Sequence, residues 1–323
     1  MRRIAAIVLS ALGILAFAGP AAAAYPDRTV TIVVPYPAGG PTDQLARLVA
    51  DHLSKKFKQN FIVENVTGGS TIIASNKVAK SEPDGYTLLL HNLQISANPT
   101  LFKSLPFDTV KDFKTVIMIN RNPLVLVARP NLAPNSLKEF MALMKKEHLK
   151  EALPGFGTTG HLTSRLFAQE TGLKFDEIPY RGGAPAVTDL LGDHVDFMIG
   201  TPQQMLPLVK AGKLKAYGVT QKGKMPEFPH ADSIADLLGP KFAIYYWQGL
   251  FAPSKTPDAV IKTLNAAVND VANDPEVLKL WHDTGVEAFP KDLRTEAASE
   301  KYLKSEIARW AKVIKDNNIH ANQ

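Results

Sequence analysis

The stretch around two adjacent glycines constrains the fold more than any other. A β-branched run over residues 29–34 stops at Pro35, and the turn Pro35-Tyr36-Pro37-Ala38-Gly39-Gly40-Pro41 follows. From residue 42 to 57, Leu45, Leu48, Val49, Leu53 and Phe57 then recur at helical spacing. A strand that turns through glycine straight into a helix is the first half of a βαβ unit. The alternation continues: residues 61–64 and 87–90 read as strands and 72–80 as a helix between them. Residues 116–119 and 124–128 read as two further short strands, separated by Arg121-Asn122-Pro123.

From Ser136, an N-cap for a helix to Lys146, the pattern restarts. A helix over 160–171 closes at Gly172, and one over 185–191 opens with Pro185 and closes at Gly192. Strands at 195–199 and 214–220 flank a helix over 202–211. This predicts an α/β domain with a mainly parallel sheet. The break at 121–123 marks a first crossing between domains, and the proline-interrupted stretch 221–240 holds the return. A strand at 245–252 and helices from Pro257, from Pro275 and over about 293–317 complete the first domain, the last with Leu303, Ile307, Trp310 and Ile314 in one stripe. The expected organisation is domain 1 from 25–122 with 240–323, domain 2 from 123–239, and a ligand cleft between two α/β domains.

Residues 1–24 have the layout of a secretory signal peptide. Met1-Arg2-Arg3 is cationic, 4–17 is almost wholly apolar, and Pro20-Ala21-Ala22-Ala23-Ala24 supplies small residues. The apolar run is shorter than the roughly 20 residues of a membrane span, so cleavage after Ala23 or Ala24 is expected. The chain has no cysteine, which excludes disulfides, a thiol nucleophile and thiolate metal sites. Its formal charge of +6 comes from dispersed lysines. That dispersal indicates solvated helix faces and no nucleic-acid track.

Three glycine-rich loops open helices and so present unpaired N–H groups and positive dipole ends, which suit an anion. In the first, Pro37, Ala38, Gly39 and Gly40 let a ligand approach the backbone. Thr42 caps the helix or donates its hydroxyl, and Asp43 binds loop N–H groups to hold their shape. In the second, Gly155-Phe156-Gly157-Thr158-Thr159-Gly160-His161, two hydroxyls and an imidazole converge, with Thr158, Thr159, Gly160 and His161 as candidate ligand contacts. The third is Tyr180-Arg181-Gly182-Gly183, where Arg181 either pairs with a carboxylate or faces solvent. His91-Asn92 follows a strand where α/β sheets place binding loops, and Trp247 either lines the pocket or packs in the core. Gly155-x-Gly157-x-x-Gly160 has dinucleotide spacing, but Glu151-Ala152-Leu153-Pro154 reads as a poor strand, so dinucleotide binding is rejected. No GxSxG, HExxH or clustered histidines are present. No enzyme activity, cofactor or metal is expected.

Several of these segments, taken in order, resemble the Bug-type extracytoplasmic solute-binding proteins of tripartite tricarboxylate transporters. They are Val34-Pro35-Tyr36-Pro37-Ala38-Gly39-Gly40 with Asp43 and Ala46-Arg47; Val63-Glu64-Asn65; and Pro83-Asp84-Gly85-Tyr86-Thr87-Leu88. Further along come Pro179-Tyr180-Arg181-Gly182-Gly183-Ala184-Pro185-Ala186, Lys210-Ala211-Gly212-Lys213-Leu214 and Ala252-Pro253. The resemblance implies a type II periplasmic-binding-protein fold, a periplasmic location, and carboxylate binding by the first glycine loop and the loop around Thr158–His161. It also implies two membrane subunits of a tripartite tricarboxylate transporter as partners. The expected ligand is a small di- or aromatic carboxylate captured by closure of a monomer; presentation to a membrane sensor is the alternative, and a secreted hydrolase the least favoured one. The chain departs from the family where a basic residue, Pro and a Gly-Ala-Gly-Gly-like turn usually follow Asn65. Here Val66-Thr67-Gly68-Gly69-Ser70-Thr71 stands instead, and Ser70 and Thr71 offer hydroxyls at the cleft floor.

Overall fold

The computed structural model describes residues 25–319, so the expected signal peptide lies outside the described residues. Two six-stranded sheets organise the chain. The first uses β1 (Val30–Val34), β2 (Phe61–Asn65), β3 (Thr87–Asn92), β4 (Phe113–Pro123), β11 (Tyr245–Pro253) and β12 (Glu287–Ala288), in the order β12-β4-β11-β3-β1-β2. The second uses β5 (Val125–Ala128), β6 (Lys150–Leu153), β7 (Asp176–Pro179), β8 (Phe197–Gly200), β9 (Lys215–Val219) and β10 (Asp232–Ser233), in the order β10-β9-β5-β8-β6-β7.

Both sheets are mixed: in the second, where the alternation predicts a mainly parallel sheet, three of the five pairings are parallel, against two of five in the first. β1 runs parallel to β2 and β3, and β6 parallel to β7 and β8, but β11 and β5 are each antiparallel to both neighbours. Only Leu124 separates β4 from β5, so the chain passes almost directly from the first sheet into the second. Arg121-Asn122-Pro123 is accordingly no break: it is the end of β4, paired with β11 as far as Pro123↔Tyr245.

Helices cover both faces of the first sheet. Val30, Ile32 and Val34 point to one face with Leu88 and Leu90, and there they meet Leu45, Val49 and Leu53 of α1 (Pro41–Phe57). The alternate residues Val33 and Leu89 point to the other. That face packs on α2 (Ile72–Ala79), α3 (Gln94–Leu101) and the long C-terminal helix α11 (Glu296–Asp316), whose Leu303, Trp310 and Ile314 are buried. Burying each such side chain contributes about 1.5–3 kcal/mol relative to exposure. The second sheet is covered in the same way; Phe140 of α4 (Leu137–Met144) stacks on Tyr217 with centroids 4.7 Å apart.

The two crossings between sheets meet at Thr220. Its hydroxyl accepts the Leu124 N–H at 2.8 Å and donates to the Ile244 carbonyl at 2.5 Å. One hydroxyl thus ties the outgoing segment to the returning one.

Candidate functional site

Four helices begin at one cavity between the sheets. Gly40 precedes α1, Thr158 precedes α5 (Thr159–Thr171), Gly182 precedes α6 (Gly183–Leu191) and Thr201 precedes α7 (Pro202–Lys210). All four of these cap residues line a cavity of about 120 Å³. For scale, cavities of ~150 Å³ hold benzene. Each helix start carries roughly half a positive charge and N–H groups without intrahelical partners. Arg181 is the one charged residue lining the cavity among the described residues, and no hydrogen bond or ion pair there engages it. Leu124, Pro154, Met198 and Ile199 supply apolar wall. A site so built suits an anionic group set beside an apolar wall.

The first glycine loop is shaped by Asp43. Its buried carboxylate accepts the Gly39 N–H, the Arg47 Nε and the Asn65 Nδ2, each at 2.9 Å. Burial works against the charge, but the hydrogen bonds from Arg47, Gly39 and Asn65 outweigh it and hold the carboxyl below the usual range. An acid beside an anion cavity is thereby neutralised by the loop it supports.

Four polar side chains, Tyr36, Thr42, Asn92 and Tyr246, meet at the cavity wall beside the first sheet. The Thr42 and Tyr246 hydroxyls lie 2.8 Å apart, and Asn92 Nδ2 donates to Tyr246 at 3.2 Å. The Tyr36 hydroxyl lies 2.9 Å from Asn92 Oδ1 and 3.0 Å from Gln94 Oε1. Burial lifts Tyr36 well above its ordinary value and Tyr246 to about 12, so both stay protonated as donors.

On the opposite wall, Thr158 caps α5. Its hydroxyl donates to the Gly155 carbonyl at 2.8 Å and accepts the His161 N–H at 3.4 Å, leaving no donor for a ligand. Thr159 and Thr201 differ. Both are buried, both line the cavity, and neither hydroxyl has a partner among the described residues. Gly160 is required where it stands, because a Cβ there would sit 2.7 Å from the Ile199 carbonyl oxygen.

Of the expected site residues, Pro37, Ala38, Gly40, Thr42, Asn92, Thr158, Thr159, Gly160, Arg181, Gly182 and Gly183 line this cavity. Gly39 and Asp43 support it from behind. Ser70 and Thr71 lie in an adjoining groove, and the Thr71 hydroxyl accepts from Asn98 at 3.1 Å.

Three expected contacts are corrected. His91 is fully buried, with Nδ1 accepting the Asn92 N–H at 2.8 Å, and burial lowers it to about 3. His161 turns inward: Nδ1 accepts the Gly157 N–H at 2.9 Å, and burial with nearby Arg165 lowers it to about 4, so its role is loop support. Trp247 is in the core, its indole N–H donating at 3.0 Å to Glu306, which also receives Trp310.

Tyr36, Tyr246, Thr201 and Gln204 line the cavity without having been singled out. For Thr201 a signal exists: Thr-Pro after a strand marks a helix start. The reading of 151–154 as a poor strand is also corrected, since β6 continues through Leu153 and forms a parallel unit with α5 and β7. Dinucleotide binding stays unsupported. Asp176 and Glu177 begin β7, and Glu177 pairs with Arg165, whereas a ribose-binding acid belongs at the strand's far end.

Residues 45–319 match the model of the family described as tripartite tricarboxylate transporter family receptor. Among solved structures, the periplasmic binding protein BugD is 30% identical, with a TM-score of 0.86 over 92% of this chain and 99% of that one. Rpa4515 of R. palustris, solved with adipate, is 32% identical, with a TM-score of 0.85 over 92% and 99%. MatC from Rhodopseudomonas palustris, with bound malate, is 32% identical, with a TM-score of 0.83 over 90% and 100%.

Proposed function

Because the chain belongs to the tripartite tricarboxylate transporter receptor family, whose members are periplasmic binding proteins and not enzymes, we propose that its cleft captures a small organic carboxylate. Di- and aromatic carboxylates are the candidate classes. The observation that carries this reading is the convergence of four helix starts and one unpaired arginine on a cavity with no acidic lining residue. A carboxylate replaces the water on those N–H groups with charge-assisted hydrogen bonds, each stronger than a neutral one. Thr159 and Thr201 supply two further donors.

The two jaws are residues 25–122 with 240–323, and residues 123–239. A ligand touching α1 on one side and α5–α7 on the other favours the closed arrangement by its extra contacts. The closed complex then delivers the ligand to the membrane subunits of a tripartite transporter. That relatives have been solved with adipate and malate supports the ligand class.

Titration calorimetry on the mature chain tests this with benzoate, adipate and malate beside benzamide and adipamide. At least one carboxylate should bind, and its amide should bind at least tenfold more weakly. Equal affinity for acid and amide refutes anion capture. Delivery is tested by uptake into vesicles carrying the membrane subunits, which should depend on the added protein.

A further inference from the structure

A groove of about 610 Å³ adjoins the inner cavity. Tyr36, Pro37, Pro154, Thr158, Arg181 and Gly182 line both spaces, so they form the neck. The neck is narrow: a Cβ built on Gly182 would already touch Pro37 Cγ at 3.6 Å. Arg181, at the junction, is also the one charged residue lining the groove among the described residues. A ligand reaching through the neck therefore meets a cation at its anionic end and none further out.

The groove's own walls are apolar rings and a strained turn. Phe156 is half-buried and packs edge-on to His161 with centroids 5.6 Å apart. Tyr180 presents its ring with its hydroxyl tied to Asp189 at 2.6 Å. Opposite them, Gly68, Gly69, Ser70 and Thr71 all have positive φ, at 119°, 54°, 48° and 81°. For Ser70, and more so for β-branched Thr71, that backbone is costly.

The turn is nonetheless held. Gln94 Nε2 donates to the Ser70 carbonyl at 3.2 Å and lies 3.4 Å from the Phe156 carbonyl of the facing wall. Strain maintained beside a cleft marks a functional surface. The Ser70 hydroxyl, free of partners among the described residues, points to a polar contact there.

We propose that the groove is a second compartment of the binding site, which takes the uncharged body of a ligand whose single carboxylate sits in the inner cavity. The preferred ligands are then monocarboxylates with an aromatic or extended apolar body reaching past the neck, and compact diacids are poorer fits. This rests on the carboxylate reading and narrows it.

Calorimetry with benzoate, 4-phenylbutyrate, succinate and adipate tests the idea in the unmodified protein. The expected order places 4-phenylbutyrate at least tenfold tighter than benzoate and both diacids. Phe156→Ala should remove at least fivefold of the 4-phenylbutyrate affinity and leave benzoate within twofold. Tighter binding of benzoate or a diacid than of 4-phenylbutyrate overturns the proposal, as does an equal loss for both monocarboxylates in Phe156→Ala. Either result leaves carboxylate capture standing, whereas no binding by any of the four overturns both.

Discussion

Replacing Thr159 or Thr201 by valine should move stability and affinity in opposite directions. Valine keeps the shape of threonine and removes only the hydroxyl, and neither hydroxyl has a partner among the described residues. Thr201 stands at the N-cap of α7 without making a capping bond, so the helix loses nothing by the change. A buried hydroxyl without a partner costs about 1–3 kcal/mol, less where cavity water reaches it. The unliganded variants should therefore hold their stability or gain up to about 1 kcal/mol in denaturant titrations. A hydroxyl donating to a carboxylate contributes about 1.5–3 kcal/mol, so each variant should weaken ligand binding on the order of 10- to 150-fold. If both hydroxyls meet the same carboxylate, the double variant should lose less than the product of the single losses. Variants that bind unchanged, or that lose more than about 1 kcal/mol of unliganded stability, refute the assignment of these hydroxyls to the ligand.

Arg181→Ala should weaken carboxylate binding roughly 10- to 100-fold with unchanged unfolding, since the side chain supports nothing else; calorimetry with a melting curve checks both. Thr158→Ala should lower stability by about 1 kcal/mol through loss of the α5 cap, measured by denaturant titration, with a smaller effect on affinity than Thr159→Val. Asp43→Ala should destabilise by about 1–3 kcal/mol because it removes the acceptor of the Gly39 N–H, of one Asn65 amide hydrogen and of the Arg47 guanidinium. The carboxyl's folded pKa is lowered, so its contribution is present above the unfolded value near 3.9 and fades as pH falls below it. The stability gap between the natural protein and Asp43→Ala should accordingly narrow below about pH 4, read from denaturant midpoints across pH.

How much of this was legible in the sequence depended on distance along the chain. The Gly40-Pro41-Thr42 and Thr158–Gly160 starts were readable because strand, turn and helix are consecutive, and their chemistry is local. Leu124 and Tyr246 were not, because only the paired β4 and β11 bring them to the cavity. The choice left open at Trp247 is decided by the pleat. Adjacent strand residues face opposite ways, so Tyr246 points to the cavity and Trp247 to the core. Periodicity finds the two faces but not which one the second sheet will approach. β6 escaped notice because Lys150-Glu151 opens it, yet Glu151 is fully buried there. For Thr158, a sequence cannot show that its hydroxyl is already spent on the Gly155 carbonyl.

The stitch at Thr220 has a mechanical consequence. With its hydroxyl bonded to both crossing segments, the spacing between them is fixed at one point. In the proposed closure, a change in the gap between the jaws becomes a turn about that point, as with the legs of a drawing compass. Ligand length would then be converted into an angle, and side chains along either leg could be exchanged for a longer or shorter ligand while the pivot stays as it is.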